Sequence, residues 1–265
     1  MDARAAFEAF LTPPRVSPLS LETRLLDQAT GRRVRLGPNG YARGGGQEVQ
    51  TYVWGDESAP AVLFAHGWGG NAGNHAAGIK AVLAAGGRAV AFDAPGHGRS
   101  EGTLSCAPAF AWAMEAVAQE VAGGAVRGII AHSLGGGAAC IALGRQGLQA
   151  ERVVLLAASC AVEPVLRDFT TQMNYPPELA EATQQFAAGE FTPDETSALP
   201  NAARLGDIPA LLMHDPEDRE IGFFHSEAIA GAWPGAELVP VPKVGHRSIL
   251  RAGAVVSRAC GFVLG

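Results

Sequence analysis

From Ala61 onward the chain alternates short, nearly unbroken apolar runs with longer alanine-rich stretches, and few folds accept that alternation. The runs are residues 61–65, 88–92, 127–131, 152–156, 210–213 and 237–241, several of them bounded by Gly, Asp or Pro. Runs this short and this apolar suit central parallel strands covered on both faces. The stretches between them read as helices. In 107–121, Phe110, Met114, Val117 and Val121 fall at spacings of four, three and four, along one helical face. Strand, helix, strand repeated in this way builds a doubly wound sheet, which collects ligands at the carboxyl ends of its strands.

Ahead of this pattern, residues 21–54 read as a strand-and-turn region. Strand-like 32–36 and 49–54 enclose the turn-rich Gly37-Pro38-Asn39-Gly40 and Gly44-Gly45-Gly46. The expected fold is therefore α/β, a mostly parallel eight-stranded sheet with antiparallel N-terminal strands. One interval is too long for a simple crossover: about fifty residues separate 156 from 210. Helices are predicted there at 164–173, 178–188 and 194–205, with breaks at Asn174-Tyr175-Pro176-Pro177 and Thr192-Pro193-Asp194. The expectation is one domain over 1–265, with 160–206 as a small helical cap or lid over the carboxyl edge.

Composition narrows the function. Twenty Lys and Arg against 26 Asp and Glu leave a net charge of −6 with no basic run, which argues against nucleic acids and anionic membranes as partners. Hydrophobic residues at 48% and charged residues at 17% suit a buried core rather than disorder. The first fourteen residues carry Asp2, Arg4 and Glu8 and lack the apolar stretch of a signal peptide, and no run is long enough to span a membrane, so a soluble cytoplasmic protein is expected. Cys106, Cys140, Cys160 and Cys260 are scattered without a C-x-x-C pair and read as reduced thiols. With no H-E-x-x-H, no Cys/His cluster and no G-x-x-x-x-G-K-[ST], neither a metal nor a nucleotide cofactor is expected. Nothing in the sequence specifies an oligomeric state.

Three segments carry chemistry. In Ile129-Ile130-Ala131-His132-Ser133-Leu134-Gly135-Gly136-Gly137 an apolar strand runs into a serine, and glycines follow at once before an Ala-rich helix. A sharp strand-to-helix turn of this kind pushes the serine Oγ into the cleft, and small residues two before and two after let the backbones pass. The usual pattern is G-x-S-x-G; Ala131 is a small departure from it. Leu134, the residue after the serine, can offer its N–H to an oxyanion, helped by the helix N-terminus. In Phe64-Ala65-His66-Gly67-Trp68-Gly69-Gly70 a second strand ends in a His-Gly turn able to present the Trp68 N–H as the other donor, with His66 structural. The third segment is Phe92-Asp93-Ala94-Pro95-Gly96-His97-Gly98-Arg99-Ser100.

In this order and at these intervals, the three segments resemble the α/β-hydrolase fold family, which pairs an HG loop, a D-x-P-G-x-G-x-S turn and a nucleophile elbow. The resemblance runs from about residue 52 to the C-terminus, the insertion excepted. It implies a serine hydrolase with triad order Ser, acid, His. His214-Asp215-Pro216-Glu217-Asp218-Arg219-Glu220-Ile221 resembles the family's G-x-x-D-x-x-V-P stretch, with Asp218 at the acid position and His214 read as standing where Gly is common; Asp215, Glu217 and Glu220 compete for the role. Val244-Gly245-His246-Arg247 follows the last strand, and His246 matches the family's catalytic histidine. The Asp93 turn is usually a structural corner in the family. A dehalogenase would need an aspartate at position 133.

The expected activity is a carboxylic-ester hydrolase acting through an acyl-enzyme on a small to medium apolar acyl substrate. A thioesterase, lactonase or amidase would use the same triad, as would a cofactor-free haloperoxidase side activity. A non-catalytic ligand-binding protein on the same fold is the reading from another class. Asn71, His75, Phe169, Tyr175, Phe186 and Phe191 are candidates to line a mixed apolar pocket for a small ester-like molecule.

Overall fold

The structure is a computed structural model that describes residues 1–37, 47–145 and 147–265, so most of the turn-rich 37–46 stretch lies outside the described residues. Two short helices come first, α1 (Ala3–Phe10) and α2 (Ser20–Leu26), then strands β1 (Thr30–Arg35), β2 (Glu48–Trp54) and β3 (Ala61–Ala65). Helix and strand then alternate through α3 (Ala76–Ala84), β4 (Arg88–Phe92), α4 (Ala107–Ala122), β5 (Ala125–His132), α5 (Leu134–Gly144) and β6 (Gln149–Leu156). The long interval holds α6 (Val162–Gln172), α7 (Pro177–Glu190), α8 (Pro193–Thr196) and α9 (Ala198–Ala202). Last come β7 (Ala210–His214), α10 (Phe224–Ala232), β8 (Ala236–Pro240) and α11 (Gly253–Leu264).

Eight strands form one sheet in the order β1-β2-β4-β3-β5-β6-β7-β8. β1 pairs antiparallel with β2, and β2 antiparallel with β4; every later pairing is parallel. The apolar runs become the buried centre because both faces are covered. Alternate residues serve opposite layers, as the two-residue period of a strand requires. Leu63, Ile129, Val153, Leu155 and Leu212 pack with Phe110, Met114, Ile141 and Trp233 on the side of α4, α5 and α10. Phe64, Ile130, Val154, Leu211 and Met213 pack with Ile79, Val255 and Val263 on the side of α3 and α11. Each large side chain buried in this way contributes about 2 kcal/mol. The edge strands are less covered: β1 stays largely exposed and β8 half-buried.

The helices depart from expectation at both ends of the site. Residues 21–26 belong to α2 rather than to a strand-and-turn region, and α1 was not anticipated at all. Asp2 starts α1 by accepting from Ala5 N at 2.8 Å. The predicted single helix 194–205 is two pieces, because Ser197 is extended (φ −115°, ψ 134°) and bridges to Ala161. Ala198 and Ala202 then bury in the core beside α5, so the end of the insertion is core rather than cover. The rest of the interval is α6 and α7, and α1 packs against α7: Phe7, 3% exposed, meets the Phe186 and Phe191 rings at 5.8 and 6.1 Å.

Candidate active site

β5 delivers Ser133 at the carboxyl edge of the sheet, and α5 begins at the next residue. Ser133 has φ 52° and ψ −121°, a conformation that side chains rarely adopt. It is held there by Ser133 N donating to Leu156 O at 2.9 Å and by Ser159 N donating to Ser133 O at 3.2 Å. The turn works only because α5 starts tight against β3: a Cβ on Gly135 would run into the carbonyl oxygens of His66 and Ala65. Ala131 takes the usual glycine place and is fully buried without displacing either neighbour strand.

Asp218 and His246 come from the loops after β7 and β8. Ser133 Oγ donates to His246 Nε2 at 3.1 Å, and His246 Nδ1–H donates to Asp218 Oδ2 at 2.7 Å. Asp218 Oδ1 accepts from Glu220 N and Ile221 N at 2.8 and 3.1 Å. Burial alone would raise this carboxyl; the hydrogen bonds from His214, His246 and Ile221 outweigh it and hold the group well below the usual carboxylate range. The acid competing most closely has another task. Asp215 Oδ2 accepts from Val244 N and Gly245 N at 2.7 and 2.6 Å, clasping the acid loop to the turn that carries His246.

The loop after β3 lies directly on the serine. A Cβ on Gly67 would come within 2.9 Å of the Ser133 Cβ. Gly70 N closes the turn on Gly67 O at 3.0 Å, which leaves the intervening Trp68 N–H unused by the turn. Leu134 opens α5, so its N–H has no partner within the helix. His66 is structural: it accepts from Ala94 N at 3.0 Å and donates to Gly67 O at 2.7 Å, and burial lowers its pKa to about 4. The Asp93 carboxylate is likewise a corner, accepting from Tyr52 Oη, Ala72 N and Arg99 N.

The pocket candidates divide. Asn71 and His75 do not face the cleft: both are 2% exposed, Asn71 Oδ1 accepts from Gly73 N, and His75 Nε2–H donates to Ala65 O at 2.9 Å. A polar residue soon after a His-Gly loop suggests a pocket role, whereas here the loop turns inward and Asn71 caps the short helical turn at Ala72–His75. Phe169 of α6 and Tyr175, between α6 and α7, sit together at 6.0 Å, and Phe186 and Phe191 are the seat of Phe7.

Two histidines were missed as parts of the site. His132 Nε2–H donates to the carbonyl of His246 at 2.9 Å, and burial keeps the ring neutral, well below the usual histidine value. His214 Nε2 lies 3.3 Å from Asp218 Oδ2 and 2.9 Å from Ile221 O, while Ser226 Oγ donates to its Nδ1 at 2.7 Å. Counting back from Asp218, the glycine of the G-x-x-D pattern falls on Asp215 rather than His214, and that count was the available signal. The cysteines are free, and burial pushes Cys106 and Cys140 up to about 12.

The sequence profile described as alpha/beta hydrolase fold matches residues 60–192, just over half of the chain. The chain belongs to the α/β-hydrolase fold family. Solved structures of this fold superpose over most of its length. An esterase from a Rhodococcus species matches at a TM-score of 0.65 and 19% identity, covering 88% of this chain and 98% of its own. An esterase from Exiguobacterium antarcticum gives 0.65 and 16%, over 88% and 100%. A bromoperoxidase from Bacillus anthracis gives 0.65 and 15%, over 89% and 99%. None of the curated proteins compared with this α/β-hydrolase matches its sequence. Among its described residues, no helix is long and apolar enough to cross a membrane, and no group of His, Cys, Asp and Glu is placed to hold a metal ion.

Proposed function

We propose that this α/β-hydrolase is a carboxylic-ester hydrolase working through an acyl-enzyme at Ser133. The observation that carries the reading is the unbroken hydrogen-bonded line from Ser133 Oγ through His246 to a carboxylate, Asp218, whose side chain is fully buried. Esterases among the structural neighbours support it at the level of fold.

The chemistry follows from the geometry. His246 Nε2 takes the Ser133 proton as Oγ attacks the carbonyl carbon, and the buried Asp218 carboxylate orients the ring and stabilises the imidazolium. The negative charge that develops on the substrate oxygen is met by the N–H groups of Leu134 and Trp68. His246 returns the proton to the departing alcohol, then activates water to release the acyl group. A small ester with an apolar acyl group suits the ring of Trp68, on the loop next to the serine, and the half-buried rings of Phe169 and Tyr175. The test is turnover of p-nitrophenyl esters from acetate to laurate: the expected result is hydrolysis that Ser133→Ala abolishes. Turnover that survives Ser133→Ala would overturn the proposal.

A further inference from the structure

Helix α1 lies outside the residues that the family profile matches, yet it is fastened across the oxyanion loop by contacts the proposed chemistry does not require. Just beyond it, the Arg15 guanidinium donates to the carbonyls of Gly98, Ser100 and Gly102 at 2.8, 3.1 and 2.7 Å. Ser105 N donates to Leu11 O at 2.8 Å, and Pro14 sits so close to Gly69 that a Cβ there would be 2.9 Å from the Pro14 Cγ. At the other end, Tyr175 Oη lies 3.7 Å from Met1 Sδ, and Phe7 is buried against α7. The position of Phe10 is therefore built, between the loop after β3 and α6.

Phe10 stacks on Trp68, ring centroids 6.3 Å apart at 17°, and meets Phe169 edge-on at 5.4 Å; Phe169 in turn meets Tyr175 at 6.0 Å. These rings are not a sealed core. Phe10, Phe169 and Tyr175 are half-buried and Trp68 is 37% exposed, whereas Phe7, one turn earlier in α1, is 3% exposed. The row starts at Trp68, next in the chain to Gly67, where an added Cβ would lie 2.9 Å from the Ser133 Cβ, and runs through Phe10 of α1 to Phe169 of α6 and Tyr175. A line of half-open rings beginning at a nucleophile is an apolar track for a chain attached to the reacting carbonyl.

We propose that this track is the acyl groove, and that Phe10 is a specificity-determining residue selecting medium-length apolar acyl chains over acetyl. The inference rests on the serine-hydrolase reading and names its substrate class. Phe10 is the ring that joins Trp68 to Phe169; without it a chain passing Trp68 would meet water before reaching Phe169. An acetyl group ends before that point and feels the change far less.

The experiment is a chain-length profile for the wild type, Phe10→Ala and Phe10→Leu. Expected are a preference for octanoate over acetate in the wild type and a KM for p-nitrophenyl octanoate raised about tenfold in Phe10→Ala. The acetate kcat/KM falls far less than the octanoate value, and Phe10→Leu recovers most of the loss. In parallel, octanoate binding to Ser133→Ala is measured by calorimetry with Phe10 present and replaced, and is weaker without it. Equal losses on acetate and octanoate, or an octanoate KM and binding constant that do not move, would overturn the proposal. If the wild type hydrolyses no ester, the hydrolase reading falls, and octanoate binding to Ser133→Ala still decides whether Phe10 lines a groove.

Discussion

At Asp218 four donors converge on one carboxylate: two backbone N–H groups on Oδ1 and two imidazoles on Oδ2. A carboxylate this well satisfied stays ionised and cannot rotate, so the ring it holds keeps one tautomer. Asp218→Asn would offer an amide where an acceptor is needed and is expected to lower kcat by about 10⁴-fold with the fold intact; a tenfold loss or less would assign the acid role elsewhere. Asp215 acts one step away, through the turn that carries His246. Asp215→Ala frees Val244 and Gly245, and kcat is expected to fall about 10- to 100-fold while KM barely changes, since substrate contacts are untouched. Steady-state kinetics on one short ester separates the two cases.

Among the elements, the loop after β3 is the most tightly specified. Gly67→Ala sets a Cβ against the Ser133 Cβ, so the loop must lift and carry the Trp68 N–H with it. The expected result is a kcat loss of about 10²- to 10³-fold with little change in melting temperature. α1 answers to a different measurement. Phe7→Ala removes its anchor between Phe186 and Phe191 and is expected to cost about 3 kcal/mol of local stability, read as faster hydrogen exchange in α1 and α7 but not in β5. These elements were unequally legible beforehand. The strands from β3 to β7 stand out because each is an apolar run with both faces covered, and the elbow because only a strand end, a serine and small neighbours make that turn. α1 was hidden because its two rings earn their burial from α7, Trp68 and Phe169, all distant in sequence. The break at Ser197 depends on Ala161 pairing with it, and the Asp215 clasp on a loop about thirty residues later; neither leaves a local trace.

Over the whole molecule, burial of neutral histidines governs the response to acid. His66, His75 and His97 are lowered to about 4, 4 and 3, and His132 well below its usual value, each chiefly by burial. Their unfolded forms take up protons near 6.5, so below that pH the unfolded state binds more protons and stability falls towards the folded values. Asp215 and Asp218 are held below 3.8, so their contribution persists above that pH and is lost only as pH falls through lower values. The melting temperature is therefore expected to drop by several degrees between about pH 7 and pH 5, as the unfolded chain takes up protons that the buried rings refuse; a flat profile there would contradict the neutral buried rings. The same enclosure reaches the candidate site, where Ser133 is 6% exposed and His246 9% exposed. The most direct test of the account is reaction with a fluorophosphonate probe followed by mass spectrometry of the peptides. Stoichiometric capture at Ser133, lost in Ser133→Ala and slowed at least a thousandfold in His246→Ala, is the predicted result; an unlabelled Ser133 in folded protein, or a label on another residue, would contradict it.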